Sequence, residues 1–241
     1  MDRERYERYA KYYTKEYLMG PNSFVLLDEL LEKNAELYRG GRVLDLGCGQ
    51  ALTSVFLAKE TKADPVFALD LWIRPTENDR RIREHGLDGR VIPVYGDALK
   101  LPFAEEYFDS IVSVDTYHYF GCADGVFAEK ILPFVKPGGS VLIAVPGLKY
   151  EPEGELLSLL KEWNDGEEWT LFRTAEWWKR HLAKNAEERI DIRVSEGDCY
   201  EQAWNDWFKS GNDYGSRDRE YLERGLWDLL NFVMIGIRKK A

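Results

Sequence analysis

The chain has 241 residues, enough for one domain with a large core, and its hydrophobic fraction of 44% excludes a disordered or fibrous protein. A net charge of −10 repels phosphate backbones, so we expect no nucleic-acid partner. Three well-separated cysteines, Cys48, Cys122 and Cys199, form no C-x-x-C pair and predict neither a disulfide framework nor a metal site.

The predicted elements begin with two helices. Residues 2–17 form a charged, aromatic stretch of helical character, and the turn Met19-Gly-Pro-Asn22 precedes a second helix that ends near Lys33. The N-terminus is charged from its second residue and lacks the apolar core of a signal peptide. No segment of the sequence reaches the roughly 20 apolar residues of a membrane helix. We therefore expect a cytoplasmic protein without a membrane partner, either a monomer or a homodimer.

Short apolar strands then alternate with helices. Strands are predicted at residues 42–46, 66–70, 90–95, 108–114 and 140–145, and helices end near 59, 85 and 134, with a turn at 136–139. A helical, tryptophan-rich stretch, a strand at 189–195, two more helices and a last strand at 231–237 complete the chain. This alternation predicts an α/β protein with a parallel sheet covered on both faces.

The most informative stretch joins the first strand to the next helix, Val43-Leu-Asp-Leu-Gly-Cys-Gly-Gln-Ala-Leu52. Gly47 and Gly49 permit a tight turn and a close approach of bare backbone to a ligand. A dinucleotide site normally shows G-x-G-x-x-G, whereas Leu52 occupies the third glycine position and Asp45 would repel a phosphate. A carboxylate at this place suits a positively charged ligand, which makes a nicotinamide-dependent oxidoreductase the weaker alternative.

This D-x-G-x-G loop resembles the first motif of the class I S-adenosylmethionine-dependent methyltransferases, and later motifs follow in that family's order between residues 40 and 146. The similar segments are Asp70 at the end of strand two, 21 residues beyond Gly49, Gly96-Asp97-Ala98 after strand three, Phe108–Asp115, and Leu132 to Gly139. The resemblance implies a doubly wound, mainly parallel, seven-stranded Rossmann-like sheet whose last strand is antiparallel. It also implies one domain over residues 1–241, N-terminal helices (1–38) over the cofactor site, and helical cap elements at 147–188 and 197–230.

The resemblance implies S-adenosyl-L-methionine as the cofactor. Asp70 would bind the ribose hydroxyls, Leu71 and Trp72 would flank the adenine, and Asp97 with the Ala98 N–H would recognise the adenine edge. The complete set of expected cofactor-binding residues is Tyr17, Asp45, Gly47, Cys48, Gly49, Asp70, Leu71, Asp97, Ala98 and Asp115.

Methyl transfer requires no metal and no covalent nucleophile, so the protein positions the acceptor, excludes water and removes a proton where the acceptor needs it. His118, three residues beyond Asp115, follows strand four, and an unperturbed histidine titrates near pH 6.5. We predict His118 as a catalytic base at the mouth of the substrate pocket. The alternative is an aromatic patch that includes a histidine, since Tyr117 and Tyr119 flank it.

Tyr17 lies in Glu-Tyr-Leu-Met-Gly-Pro-Asn, which resembles the N-terminal segment of phosphoethanolamine N-methyltransferases and of cyclopropane-synthase-like enzymes. In the former, a tyrosine there and a histidine after strand four close over an amine acceptor. The resemblance implies Tyr17 as a catalytic partner of His118 and a small-molecule acceptor, nitrogen in preference to oxygen or sulfur. In those enzymes the histidine lies one position further from the acidic residue than His118 does.

The tryptophans at helical spacings, such as Trp177-Trp178 and Trp204-x-x-Trp207, indicate core packing of a small cap. An aromatic cage for a cationic acceptor is the alternative. Two other functions also stay open, a sensor that binds S-adenosylmethionine without catalysis and a methyltransferase that acts on protein or RNA.

Overall fold

The computed structural model describes residues 2–164 and 167–241. Its centre is a sheet whose strands lie in the order β3-β2-β1-β4-β5-β8-β7, with a short β6 paired to β5. The strands are β1 (Gly41–Leu46), β2 (Ala63–Asp70), β3 (Val91–Tyr95), β4 (Phe108–Val114), β5 (Val135–Leu148), β6 (Arg173–Thr174), β7 (Ile190–Glu196) and β8 (Leu230–Lys239). β8 runs antiparallel to both β5 and β7, and the other pairs are parallel. The doubly wound α/β fold with an antiparallel last strand is confirmed.

Helices cover both faces of this sheet. The α-helices of the described residues are α1 (Arg3–Tyr9), α2 (Ser23–Lys33), α3 (Leu52–Glu60), α4 (Pro75–Glu84), α5 (His118–Gly121), α6 (Gly154–Trp163), α7 (Ala175–Ala183), α8 (Tyr200–Lys209), α9 (Asp213–Tyr221) and α10 (Trp227–Leu229). Short π- or 3₁₀-helical segments also occur at Phe127–Ile131, Leu132–Phe134, Glu168–Leu171 and Leu222–Leu226. Alternate residues of β1 belong to different core clusters, Val43 to one face and Leu44 with Leu46 to the other. This period of two places apolar side chains on both faces and explains the continuous apolar runs of the sequence.

The sheet order reverses between β1 and β4, because β2 and β3 extend to one side while β5 extends to the other. Ligands of open α/β sheets bind at such a point, outside the carboxyl ends of the strands. The topology therefore fixes where a ligand site should lie.

Three local predictions were wrong. The first helix ends at Tyr9 and continues as one 3₁₀ turn, Ala10–Tyr12, so Tyr17 lies in a loop. Residues 136–139 bulge within β5 and form no separate turn, since Phe108 pairs with Val135 and Ser110 with Ser140. β6 interrupts the helical stretch predicted from 147. Gly147 and Leu148 extend β5 past the end of β4, so this edge of β5 is free to pair with β6.

Within the described residues, no helix is both long enough and apolar enough to span a bilayer.

Candidate active site at the carboxyl edge of the sheet

A cavity of about 300 Å³ lies at the point where the strand order reverses. Its walls are the glycine loop after β1, the ends of β2, β3 and β4, and a loop of the N-terminal segment. The expected site residues that line it are Tyr17, Gly47, Cys48, Gly49, Asp70, Leu71, Asp97, Ala98 and Asp115. Two expected residues, Asp45 and His118, do not line this cavity.

The glycine loop turns sharply, with positive φ at Gly47 (76°) and Gly49 (51°), as two residues without side chains permit. The N–H groups of Gly47 and Cys48 donate to the Leu69 carbonyl, at 2.9 and 3.0 Å. A side chain at Gly49 would project to within 3.2 Å of the Met19 sulfur and fill the space between the loop and the N-terminal segment. The glycines therefore keep a backbone surface open to a ligand.

Two side chains that the sequence analysis missed hold this loop. Thr116 Oγ1 donates to the Gly47 carbonyl at 2.9 Å, and Asn78 Nδ2 donates to the Gly49 carbonyl at 2.9 Å. Asn78 is buried in α4, and the guanidinium of Arg81 donates to its Oδ1 at 3.0 Å. A signal existed for Asn78, because it shares the buried face of α4 with Ile82, four residues later.

Asp70 and Asp97, two of the carboxylates that line the cavity, are the ones expected to contact the cofactor, and we call their surroundings the cofactor half. Asp70 Oδ2 accepts from the Gly49 N–H at 2.8 Å, and its Oδ1 accepts from the backbone N–H groups of Trp72 and Ile73. Asp97 Oδ1 accepts from the Leu99 N–H at 2.8 Å. Backbone donors thus fix the orientation of Asp70, which keeps lone pairs available for hydroxyl groups of a ligand.

Asp45 lies behind the glycine loop. Its Oδ2 accepts from the hydroxyls of Thr53 (2.7 Å) and Ser54 (2.6 Å), which ties the end of β1 to the first turn of α3. Burial raises the pKa of Asp45 to about 6, and the nearby Asp70 charge makes a smaller contribution in the same direction. The hydrogen bonds from Ser54 and Thr53 lower the pKa but do not offset the effect of burial. From this position Asp45 contributes negative charge near the loop and does not form the cavity surface.

Asp115, which the resemblance placed among the cofactor-binding residues, is the third carboxylate that lines the cavity, and we call its surroundings the acceptor half. It follows β4 with a positive φ of 53°, donates its N–H to the Ala144 carbonyl, and lies against Gly20 of the N-terminal segment. Its side chain has no hydrogen-bond partner among the described residues. Burial, and then the charge of Asp218, raise the pKa of Asp115 to about 7. This carboxylate can therefore exchange a proton near neutral pH.

His118 starts the short helix α5, is buried, and does not line the cavity. The residue is 4% exposed, and its ring lies 4.1 Å from the Tyr119 ring and 6.3 Å from the Phe172 ring. Its Nδ1 is buried without a partner among the described residues. Burial lowers the pKa of His118 to about 3. The structure thus does not place His118 at the pocket mouth, where the sequence predicted it.

Aromatic side chains close the acceptor half. Tyr17, Tyr119 and Phe120 line the cavity, and the Tyr17 ring contacts Tyr12 edge-on at 5.3 Å. Tyr119 also contacts Trp72, which comes after β2, with ring centroids 5.4 Å apart. Part of the cavity wall is consequently aromatic.

The cap tryptophans pack and do not line this cavity. Trp163, Trp178, Trp204 and Trp207 are buried, and the indole N–H groups of Trp163 and Trp207 donate to Asp218 at 2.8 and 2.7 Å. The bond from each indole joins its helix, α6 or α8, to α9. Core packing, the first of the two interpretations of these residues, accounts for their positions.

Comparison with known proteins agrees with this geometry. Residues 43–139 match the family described as a methyltransferase domain. The methyltransferase GfsG of Streptomyces halstedii is 32% identical over 119 residues, 49% of this chain and 42% of that protein. A fatty-acid O-methyltransferase of Mycolicibacterium smegmatis is 31% identical over 138 residues, 53% of this chain and 49% of that protein. The chain spans less than half the length of each of these relatives.

Solved structures share the fold over most of the chain. Phosphoethanolamine N-methyltransferase 2 of Haemonchus contortus, in complex with S-adenosyl-L-methionine, superposes with a TM-score of 0.72 at 19% identity, covering 93% of this chain and 54% of that one. A geranyl diphosphate methyltransferase superposes with a TM-score of 0.65 at 18% identity, covering 91% and 84%. Residues 43–139 thus match a methyltransferase domain, and most of the chain shares the fold of S-adenosylmethionine-dependent methyltransferases.

The cavity fits S-adenosylmethionine, a nucleoside joined to an amino acid through a positively charged sulfur. The open backbone at Gly49 leaves room for the ligand, and Asp70 offers carboxylate oxygens where a ribose would lie. No lysine, arginine or histidine is among the described residues that line the cavity. Its carboxylates therefore favour a cationic ligand over an anionic one.

Proposed function

We propose that this chain transfers a methyl group from S-adenosylmethionine to the amino group of a small molecule. One observation carries the proposal: the cavity is lined by Asp70, Asp97 and Asp115 and, among the described residues, by no cationic side chain. Two positively charged reactants, a sulfonium and an ammonium, both gain from such a wall, whereas a carboxylate or phosphate acceptor would be repelled.

Asp115 is the residue that we assign to proton removal. When bound, S-adenosylmethionine supplies a methyl group that bonds to the nitrogen lone pair of the acceptor while the carbon–sulfur electrons stay on sulfur. An ammonium must lose a proton before it has that lone pair, and the Asp115 carboxylate accepts it. A pKa near 7 suits this step, because the side chain is largely ionised above neutral pH and still binds a proton readily.

Tyr17 contributes a wall in this proposal, because it lines the cavity on the side of the N-terminal segment. Together with Tyr119 it excludes water from the reacting atoms and limits the orientations of the acceptor. His118 does not line the cavity, so we assign it no contact with the acceptor.

The proposal is tested with wild-type protein and an Asp115→Asn variant. We expect S-adenosylhomocysteine to bind both by calorimetry, with dissociation constants within about threefold. Labelled methyl should reach primary amines in a panel of amines, phenols and thiols, and turnover should fall by about 10²-fold in Asp115→Asn, the size of a lost proton transfer. Turnover of the wild type should fall as the pH drops below about 7, since protonation removes the base.

An exposed carboxylate on β7, changed in Asp191→Asn, provides the control and should leave turnover unchanged. Binding of S-adenosylhomocysteine without transfer to any compound would identify a sensor. Transfer to phenols or thiols but not to amines would refute the amine assignment and leave the methyltransferase assignment intact.

A further inference from the structure

Exposed apolar side chains concentrate at the mouth of the cavity. Among the described residues eight large hydrophobic side chains are exposed, and five of these line the cavity: Met19, Leu71, Trp72, Leu99 and Tyr119. Scattered apolar residues are normal on a protein surface, but a group gathered around one opening marks a binding surface.

This group has a cofactor side and an acceptor side. Leu71 follows Asp70 at the end of β2, and Leu99 follows Asp97 after β3, so both belong with the carboxylates of the cofactor half. Tyr119 lies in α5, four residues beyond Asp115, and belongs with the acceptor half. A cofactor bound at Asp70 and Asp97 would explain why Leu71 and Leu99 line the cavity. It would not explain why Tyr119 is exposed there.

The rings of Trp72 and Tyr119, both exposed at the cavity, contact each other. Their ring centroids lie 5.4 Å apart at an interplanar angle of 63°, while the residues remain 66% and 51% exposed. Edge contact between two rings that leaves so much of each one in solvent provides an apolar surface of fixed shape. Phe120 lines the cavity next to Tyr119 and continues this surface inward.

The charge beside this surface is negative. Asp115 lines the same half of the cavity and has no hydrogen-bond partner among the described residues, whereas Asp70 and Asp97 accept from backbone N–H groups. An acceptor that satisfies both features carries a cationic group at one end and an apolar body at the other.

We propose that the acceptor is an amphiphilic amine, whose nitrogen lies at Asp115 and whose apolar body packs on the Trp72–Tyr119 ring pair. This inference rests on the function proposed above and adds the chemical class of the acceptor. Short polar amines such as ethanolamine bury nothing on the rings and are poor acceptors.

The experiment measures kcat/KM for labelled methyl transfer to a series of linear alkylamines from three to eight carbons, with ethanolamine as the polar comparison. In the wild type we expect an increase of about fourfold for each added methylene until the rings are covered, as burial of a CH₂ group predicts. Tyr119→Ala and Trp72→Ala should flatten this dependence. Tyr214→Ala, an exposed tyrosine that does not line the cavity, is the matched control and should keep it.

Binding of S-adenosylhomocysteine to each variant shows whether the changed ring contacts the cofactor. We expect Tyr119→Ala to leave its dissociation constant within about threefold while it abolishes the chain-length dependence. A wild type that methylates amines equally well at every chain length, or prefers ethanolamine, overturns this inference but not the proposed function. A tenfold loss of cofactor binding in Tyr119→Ala also overturns it, because the ring would then belong to the cofactor site. Methyl transfer to no amine at all refutes both.

Discussion

Asn78 shows how one buried amide can control a binding loop. It supplies the side-chain donor that reaches the Gly49 carbonyl, and the N–H of the same glycine donates to Asp70. The amide therefore fixes the peptide that a ligand would meet on the loop side of the cavity. Side chains that set the orientation of binding groups without contacting the ligand are a general requirement of preorganised sites.

We predict that Asn78→Leu weakens binding of S-adenosylhomocysteine by about tenfold or more. The change leaves the Gly49 carbonyl without its donor, which costs about 1–3 kcal/mol and frees the loop to turn. Turnover at saturating cofactor should change much less than KM for the cofactor. Calorimetry and initial rates measure both quantities. Arg81→Met is the control, because it removes the donor to the Asn78 Oδ1 and keeps the bond to Gly49. Equal effects of the two substitutions would contradict the role of Asn78.

His118 affects stability through its buried, neutral ring. Its folded pKa of about 3 lies below the value near 6.5 of an unfolded chain. As the pH falls, His118 is therefore protonated in the unfolded chain before it is protonated in the folded protein. The wild type loses stability as the pH falls from 6.5 towards 3. At pH 5 the loss from this residue is about 2 kcal/mol.

We predict that His118→Phe removes this loss, so that the difference in unfolding free energy between pH 7.5 and pH 5 shrinks by about 2 kcal/mol. Urea denaturation at the two pH values measures it, and any packing cost of the larger ring cancels in the difference. Turnover at pH 8 should stay within about threefold. A tenfold loss of turnover in the folded variant would restore His118 to the role of base that the sequence predicted.

At the scale of elements, polar contacts hold α1 of the N-terminal segment, and the residues after it form part of the cavity wall. Arg8 and Tyr9 of α1 donate to Glu60 at the end of α3, at 2.7 and 2.9 Å, and Arg5 forms ion pairs with Glu60 and Asp28. The chain then runs through Tyr17 and the following residues along the cavity. Glu60 is thus the common partner of three side chains from α1.

We predict that Glu60→Ala loosens this segment. In limited proteolysis with trypsin, cleavage within residues 3–15 should be several-fold faster than in the wild type, and S-adenosylhomocysteine should slow it in both proteins. The physical reason is that exposed, weakly held backbone is cut first. Glu4→Ala removes an exposed carboxylate of the same helix and should cleave like the wild type. Unchanged cleavage in Glu60→Ala would show that the aromatic contacts of α1 hold the segment without Glu60.

Most elements were predictable from sequence, because periodicity and turn residues act locally. β4 matches its predicted span, and α2 begins after Asn22, whose side chain caps it by accepting from the Phe24 N–H. The first helix was overextended because its charged, aromatic composition continues past Tyr9, whereas long-range bonds end it. One of these is the Lys15 N–H to the Ser210 carbonyl at 2.9 Å.

At the scale of the whole molecule, the chain has a negative net charge and its cavity is lined by carboxylates. The net charge of −10 led us to expect no nucleic-acid partner, and the folded cavity has no cationic lining among the described residues. Composition alone could not reveal the second fact, because 33 lysines and arginines are present and any of them could have faced the cavity. Folding distributes these charges over the surface and leaves the carboxylates at the strand ends.

The sequence by itself determined the doubly wound sheet and the edge that holds the cofactor site, because strand periodicity, glycine spacing and acidic strand ends are local features in a fixed chain order. Only the tertiary structure decided which side chains after β4 reach the cavity. The positive φ of Asp115 directs its carboxylate inward, and the turn into α5 buries His118. Such directions depend on loop dihedrals and on packing against distant elements such as Gly20 and Phe172, which no local pattern encodes.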